Sequence, residues 1–133
     1  MIFRLLVLTC AFLIAANCSA SPNNSERKAV LAGLSKKSPN GKITFWKVNV
    51  MNISGDWAFV DVTPLGKGGR PLAEQKVAVL HHVRSSDGRD QGWKELDLSK
   101  VPRDPNEEEY GPGFQKNIQK TFPFLPKEIF AGL

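Results

Sequence analysis

Apolar and polar positions alternate with a period of two through the stretch from Ile43 to Thr63, which predicts two strands joined by a tight turn. Trp46, Val48 and Val50 alternate with Lys47 and Asn49, so they are expected on one face of the first strand. Ala58, Val60 and Val62 share one face of the second strand, and Trp57, Phe59 and Asp61 share the other. Between them Asn52-Ile53-Ser54-Gly55-Asp56 carries turn chemistry: glycine tolerates positive φ, and Asn, Ser and Asp bond their own backbone. A third strand is expected from about Gln75 to Arg84. Its Val77, Val79, His81 and Val83 oppose Ala78, Leu80 and His82, and apolar residues on both faces mark it as central. Ser85 to Gln91 contains Asp87-Gly88, a hairpin signal, and a fourth strand is expected from about Gly92 to Leu98. Trp93 lies on one face of that strand, Leu96 and Leu98 on the other.

The flanks switch to a helical period. Val30, Leu31 and Leu34 form a stripe on a helix from near Glu26 to about Ser35, with Asn23, Asn24 or Ser25 as its cap. Phe114, Ile118 and Phe122 fall at i, i+4 and i+8 and predict a C-terminal helix that Pro123 ends. Pro126 suits the first turn of a last short helix carrying Ile129 and Phe130. Pro64 to Pro71 and Pro102 to Pro112 read as loops. The expected fold is α+β: an N-terminal helix packed on a curved four-stranded antiparallel sheet, with a C-terminal helical segment. Neither helix nor sheet hides its apolar surface alone, so one sheet face must bury against the first helix.

The first residues are read as a targeting segment. Arg4 begins it, Leu5 to Ala16 is an apolar run too short for a membrane span, and Cys18-Ser19-Ala20 supplies small residues for a signal peptidase. Cleavage after Ala20 would leave residues 21–133 as a single domain with a short polar leader at 21–24, in the periplasm or secreted. The rival reading lipidates Cys18 and anchors the protein to the envelope. Asn17 and Ala15 stand where a lipobox wants a small residue and a Leu. Both cysteines, Cys10 and Cys18, fall in this segment, so the domain is expected to lack a disulfide or a thiol ligand.

The charge of +5 is spread along the chain in runs of two at most. A nucleic-acid binder wants a basic stripe with interleaved aromatics, so no nucleic-acid partner is expected, and a membrane partner only if Cys18 is lipidated.

Four ordered motifs resemble a largely uncharacterised family of small exported bacterial proteins. They are Arg27-Lys28-Ala29-Val30-Leu31-Ala32-Gly33-Leu34, Gly55-Asp56-Trp57-Ala58-Phe59-Val60, Gly92-Trp93-Lys94 and Pro126-Lys127-Glu128-Ile129-Phe130. The resemblance implies a trimmed relative of the cystatin-like and nuclear-transport-factor-like α+β folds, in which a curved sheet wraps a helix. It brings no catalytic residue set. The loop from Gly66 to Leu72 and the run Glu107 to Glu109 lie outside its pattern.

Candidate chemistry is sparse. His81 and His82 are adjacent on a strand and so point to opposite faces; they cannot share a metal, and neither metal nor cofactor is expected. Either histidine, with Asp61 as a cleft acid, would serve an enzyme of the cone-shaped α+β type. Asp56 reads as a turn residue. Gln75-Lys76-Val77-Ala78-Val79 partly matches the cystatin inhibitory loop but has Val79 where that loop has Gly. Gly66-Lys67-Gly68-Gly69-Arg70 lacks the Gly-Lys-(Ser/Thr) ending and the helix of a phosphate loop, and reads as a flexible turn. Glu107 to Glu109 reads as a solvated run. Trp46, Trp57, Phe59 and Trp93 would line a ligand groove, although aromatics at strand spacing more often fill a core. These residues favour a non-enzymatic binding protein with an unknown protein or small-molecule partner; the alternatives are the Asp61–histidine enzyme and a protease inhibitor.

Overall fold

The computed structural model describes residues 23–36, 38, 40–107 and 111–133. The targeting segment, with Cys10, Cys18 and Ala20, and the polar leader through residue 22 lie outside them, as do Glu108 and Glu109. The elements are helix α1 (Asn24–Ala32), strands β1 (Phe45–Ser54), β2 (Trp57–Leu65), β3 (Lys76–Arg84) and β4 (Asp90–Glu95), and helix α2 (Pro112–Thr121). The chain is α+β, and the strands form one open antiparallel sheet in the order β1-β2-β3-β4. The third strand is therefore central, as its two apolar faces predict.

Both faces of the sheet are covered. On one, Val30 of α1 and Leu34 just after it bury against Met51, Ala58, Val60, Val62, Ala78, Leu80 and Trp93. On the other, Phe59, Val77 and Val79 bury against Phe114 and Ile118 of α2, with Leu125, Ile129 and Phe130 behind it. The chain returns to that face through Pro126 and a 3-10 turn, Lys127–Phe130. Asn52 fixes the end of this segment by donating from Nδ2 to the carbonyls of Ile129 (3.0 Å) and Ala131 (2.9 Å).

Four local readings are corrected. Val50 does not share a face with Trp46 and Val48: the β1–β2 register shifts between Val48 and Val50. Asn49 is the extra residue of a bulge, and one extra residue reverses the parity of every strand position after it. Trp46 and Val48 pack toward α1, whereas Val50 packs toward α2. Asn52, Ile53 and Ser54 are strand residues, so the turn shrinks to Gly55-Asp56, with Gly55 at φ 58° as the first central position of a type II′ hairpin requires. The fourth strand starts two residues early and ends at Glu95, after which Asp97 caps its own turn by accepting from the Ser99 N–H. Helix α1 stops at Ala32, with the Asn23 side chain accepting from the Glu26 N–H at 2.8 Å. Its end is set by Gly33. A Cβ there would stand 2.9 Å from the carbonyl carbon and Cβ of Trp93 and closer still to that carbonyl oxygen. Only glycine lets α1 meet the β4 backbone so closely.

Candidate functional site

The hairpin turn places one histidine cluster at the end of the sheet where β1 meets β2. The His82 ring stacks on Trp93, with centroids 4.8 Å apart. Its Nε2 donates to the Asp90 carboxylate at 2.8 Å, and its Nδ1 lies 3.7 Å from Asp56. The Asp56 carbonyl also accepts from the His82 backbone N–H. A backbone hydrogen bond from Gly92, and after it the His82 side chain, hold the Asp90 carboxyl below the usual aspartate range. Carboxylates thus lie on both sides of the ring, and the hydrogen bond to Asp90 occupies Nε2.

His81 points to the opposite face, as strand alternation requires. It stacks on Trp57 with centroids 4.2 Å apart, and Phe124 continues that ladder at 5.5 Å from Trp57. Asp61 does not join either histidine. It pairs in register with Val77, whereas Trp57 pairs with His81. Four residues along a strand place Asp61 roughly 13 Å from His81, where it accepts from Asn49 Nδ2 at 3.1 Å. Among the described residues no group of three His, Cys, Asp or Glu side chains is arranged to hold a metal.

The four aromatics named as a groove are divided by the sheet. Trp93 and Trp46 pack on the α1 side, and Phe59 and Trp57 on the α2 side, so they cannot line one site. Of the partial inhibitory-loop match Gln75 to Val79, Gln75 is exposed ahead of β3 and Val77 to Val79 are buried strand. Glu107 places its carboxylate against Gly113, in the first turn of α2, where a negative charge meets the positive end of the helix dipole.

The other end of the sheet carries a feature that sequence order hides. The 66–70 loop is closed by the Gly66 N–H donating to the Arg70 carbonyl at 2.7 Å. It turns through Gly68 and Gly69 at φ 75° and 78°, the left-handed region that glycine enters freely. Leu72 folds back beneath Gly66, where a Cβ would lie 2.8 Å from its Cδ2. Asn40 donates to the Leu72 carbonyl at 2.8 Å and so joins the 40–44 segment to this loop. Together they form an open pocket of about 490 Å³ lined by Gly41, Lys42, Thr44, Gly66, Lys67, Arg70 and Leu72. A second depression of about 240 Å³ between α1 and the start of β1 shares Thr44 and adds Lys28 and Lys36. Five cations thus line two depressions that share Thr44, and among the described residues no carboxylate lines either. None of the five forms an ion pair with another described residue.

These cations lie far apart in the chain, so no sequence motif announces the arrangement. A strand running into a glycine loop that holds Lys67 and Arg70 is the one signal the sequence offers. No family model, curated protein or solved structure matches the chain.

Proposed function

We propose that the protein is a small exported, non-enzymatic binding module that takes an anionic ligand at the Lys42–Lys67–Arg70 pocket. One observation carries the reading: a concave, glycine-walled pocket with three cations and no carboxylate among the described residues of its lining. Clefts lined by one sign of charge concentrate counter-ions of the other. Export is supported by Arg4, the apolar run Leu5 to Ala16 and the small residues before Ser21. The binding role is favoured over catalysis by the separation of Asp61 from both histidines and by the carboxylates on both sides of the His82 ring. In the finer fold reading, the domain is a trimmed cystatin-like sheet curved around α1, a reading supported by the order helix, four strands, C-terminal helix. The α2 layer on the opposite face is an addition to that plan.

The test is an amide-shift titration with pyrophosphate at low ionic strength. Shifts concentrated at Gly41, Gly66, Gly68 and Gly69, weakening with added salt and at least tenfold in a Lys67→Glu/Arg70→Glu variant, are expected. Shifts scattered over the surface, or none, overturn the proposal.

A further inference from the structure

We propose that the ligand is an anionic amphiphile, with its phosphate-type head in the Lys42–Lys67–Arg70 pocket and one apolar chain in the trough between α1 and β1. The inference rests on the anion-binding reading and names its ligand class. Both depressions border Thr44, so a head held in one has the other within reach of its tail. The trough floor is apolar: Leu31 and Ala32 of α1 face Ile43, Phe45 and Trp46 at the start of β1. Phe45 is 48% exposed, and its ring tip lies 4.0 Å from where a Gly69 Cβ would stand. That ring thus lines the trough beside the glycine loop that carries Lys67 and Arg70. Lys28 and Lys36 are the trough's charged residues. Their aliphatic stems extend the apolar surface while their ammonium groups remain in water, and both add to the attraction for a negative head.

Size sets the chain length. At roughly 30 Å³ for each water-sized group, about 240 Å³ takes a chain of roughly eight methylenes. A fully buried methylene contributes about fourfold in affinity, and a half-buried one about twofold. The dissociation constants of n-alkyl phosphates should therefore fall about two- to fourfold per added carbon from ethyl to octyl, then level off through dodecyl.

The experiment is calorimetric titration of the mature chain with that series below micelle concentrations. Inorganic phosphate, alkyltrimethylammonium salts of equal length, and phosphatidylcholine vesicles doped with phosphatidic acid run beside it. A Phe45→Ser variant should flatten the chain-length dependence, weakening octyl phosphate by a larger factor than ethyl phosphate. Lys67→Glu/Arg70→Glu should weaken every alkyl phosphate by the same factor. Melting temperatures near wild type confirm that both variants fold; should Phe45→Ser unfold, Phe45→Leu, expected to retain part of the slope, takes its place. Phosphate binding that is indifferent to chain length overturns the amphiphile and leaves the anion site standing. No binding by any phosphate overturns both. An equal slope for the ammonium series, or binding to vesicles with none to the soluble series, also overturns the proposal.

Discussion

Replacing Gly33 by Ala sets two effects of opposite sign against each other, and their magnitudes decide the outcome. Gly33 has φ −75° and ψ −14°, a right-handed conformation that alanine adopts without strain. If α1 stood free, the substitution would stabilise the protein by about 0.4–1 kcal/mol through the unfolded chain's lost freedom. Against that, the new Cβ would sit 2.9 Å from the Trp93 carbonyl carbon. The obstructing atoms are backbone, so no rotamer change relieves them. Either α1 moves off the sheet, loosening Val30 and Leu34, or β4 distorts at its junction with β3. Overpacking of this kind costs about 1–3 kcal/mol, and backbone obstruction puts it in the upper part of that range, so the expected net loss after the offset is about 1–2.5 kcal/mol. For a domain near this size that lowers the melting temperature by roughly 5–10 °C. Thermal melts followed by circular dichroism, with urea midpoints at unchanged slope, measure it. Ala32→Gly, one residue earlier on an exposed position, isolates helix propensity at about 1 kcal/mol. A Gly33→Ala protein that melts at or above the wild-type temperature refutes the close approach of α1 to β4.

Phe59→Ala, at a fully buried ring, should cost about 3–5 kcal/mol and leave little folded protein by chemical denaturation, whereas Trp57→Ala, on the half-exposed ladder with His81 and Phe124, should melt at a higher temperature than Phe59→Ala. Asn52→Ala removes two hydrogen bonds to the Ile129 and Ala131 carbonyls, so hydrogen exchange should speed in residues 125–133 before the β2 and β3 amides change, at a stability cost of about 1–3 kcal/mol. Asp90 titrates below its ordinary value of 3.8; a folded value below the unfolded one means that its contribution is present above about pH 3.8 and is lost as pH falls through the folded value. A carbon-13 titration should find that lowered midpoint, and His82→Gln should move it up while leaving the larger Gly92 contribution.

Most of the architecture is legible because period-two and period-3.6 patterns report burial directly. Ala58, Val60 and Val62 against Trp57 and Phe59 give β2 and its faces, and Phe114 and Ile118 give the buried stripe of α2. Legibility fails where one residue changes parity. Asn49 is chemically an ordinary exposed strand residue, and nothing local marks it as the bulge that sends Val50 to the other face. Asn52 reads as turn chemistry because its side chain suits a turn, but its partners lie 77 and 79 residues away. The site is hidden for a related reason. Lys28, Lys42 and Arg70 come from α1, the segment before β1 and the loop after β2, and only tertiary contacts bring them together: the packing of α1 on the sheet and the Thr44–Leu65 and Asn40–Leu72 hydrogen bonds.

The sheet's double cover also limits where recognition takes place. With α1 on one face and α2 with the Leu125–Phe130 segment on the other, the buried faces of β2 and β3 serve stability. A ligand would then have to meet the domain at its edges or ends. The exposed edge of β1 is a poor template for another strand, because the Asn49 bulge breaks its ladder and Lys47 stands at its surface. The two ends differ in charge. Asp56, Asp87 and Asp90 gather at the hairpin end, where Ser85, Gly92 and His82 already satisfy the last two and ion pairs reach Arg84 and Arg89. The end at Phe45 and the glycine loop keeps its cations without ion pairs among the described residues, around a concave apolar floor. One end has spent its charge on its own turns, and the other holds its charge toward solvent, which is why the proposed anion site is assigned to the start of β1.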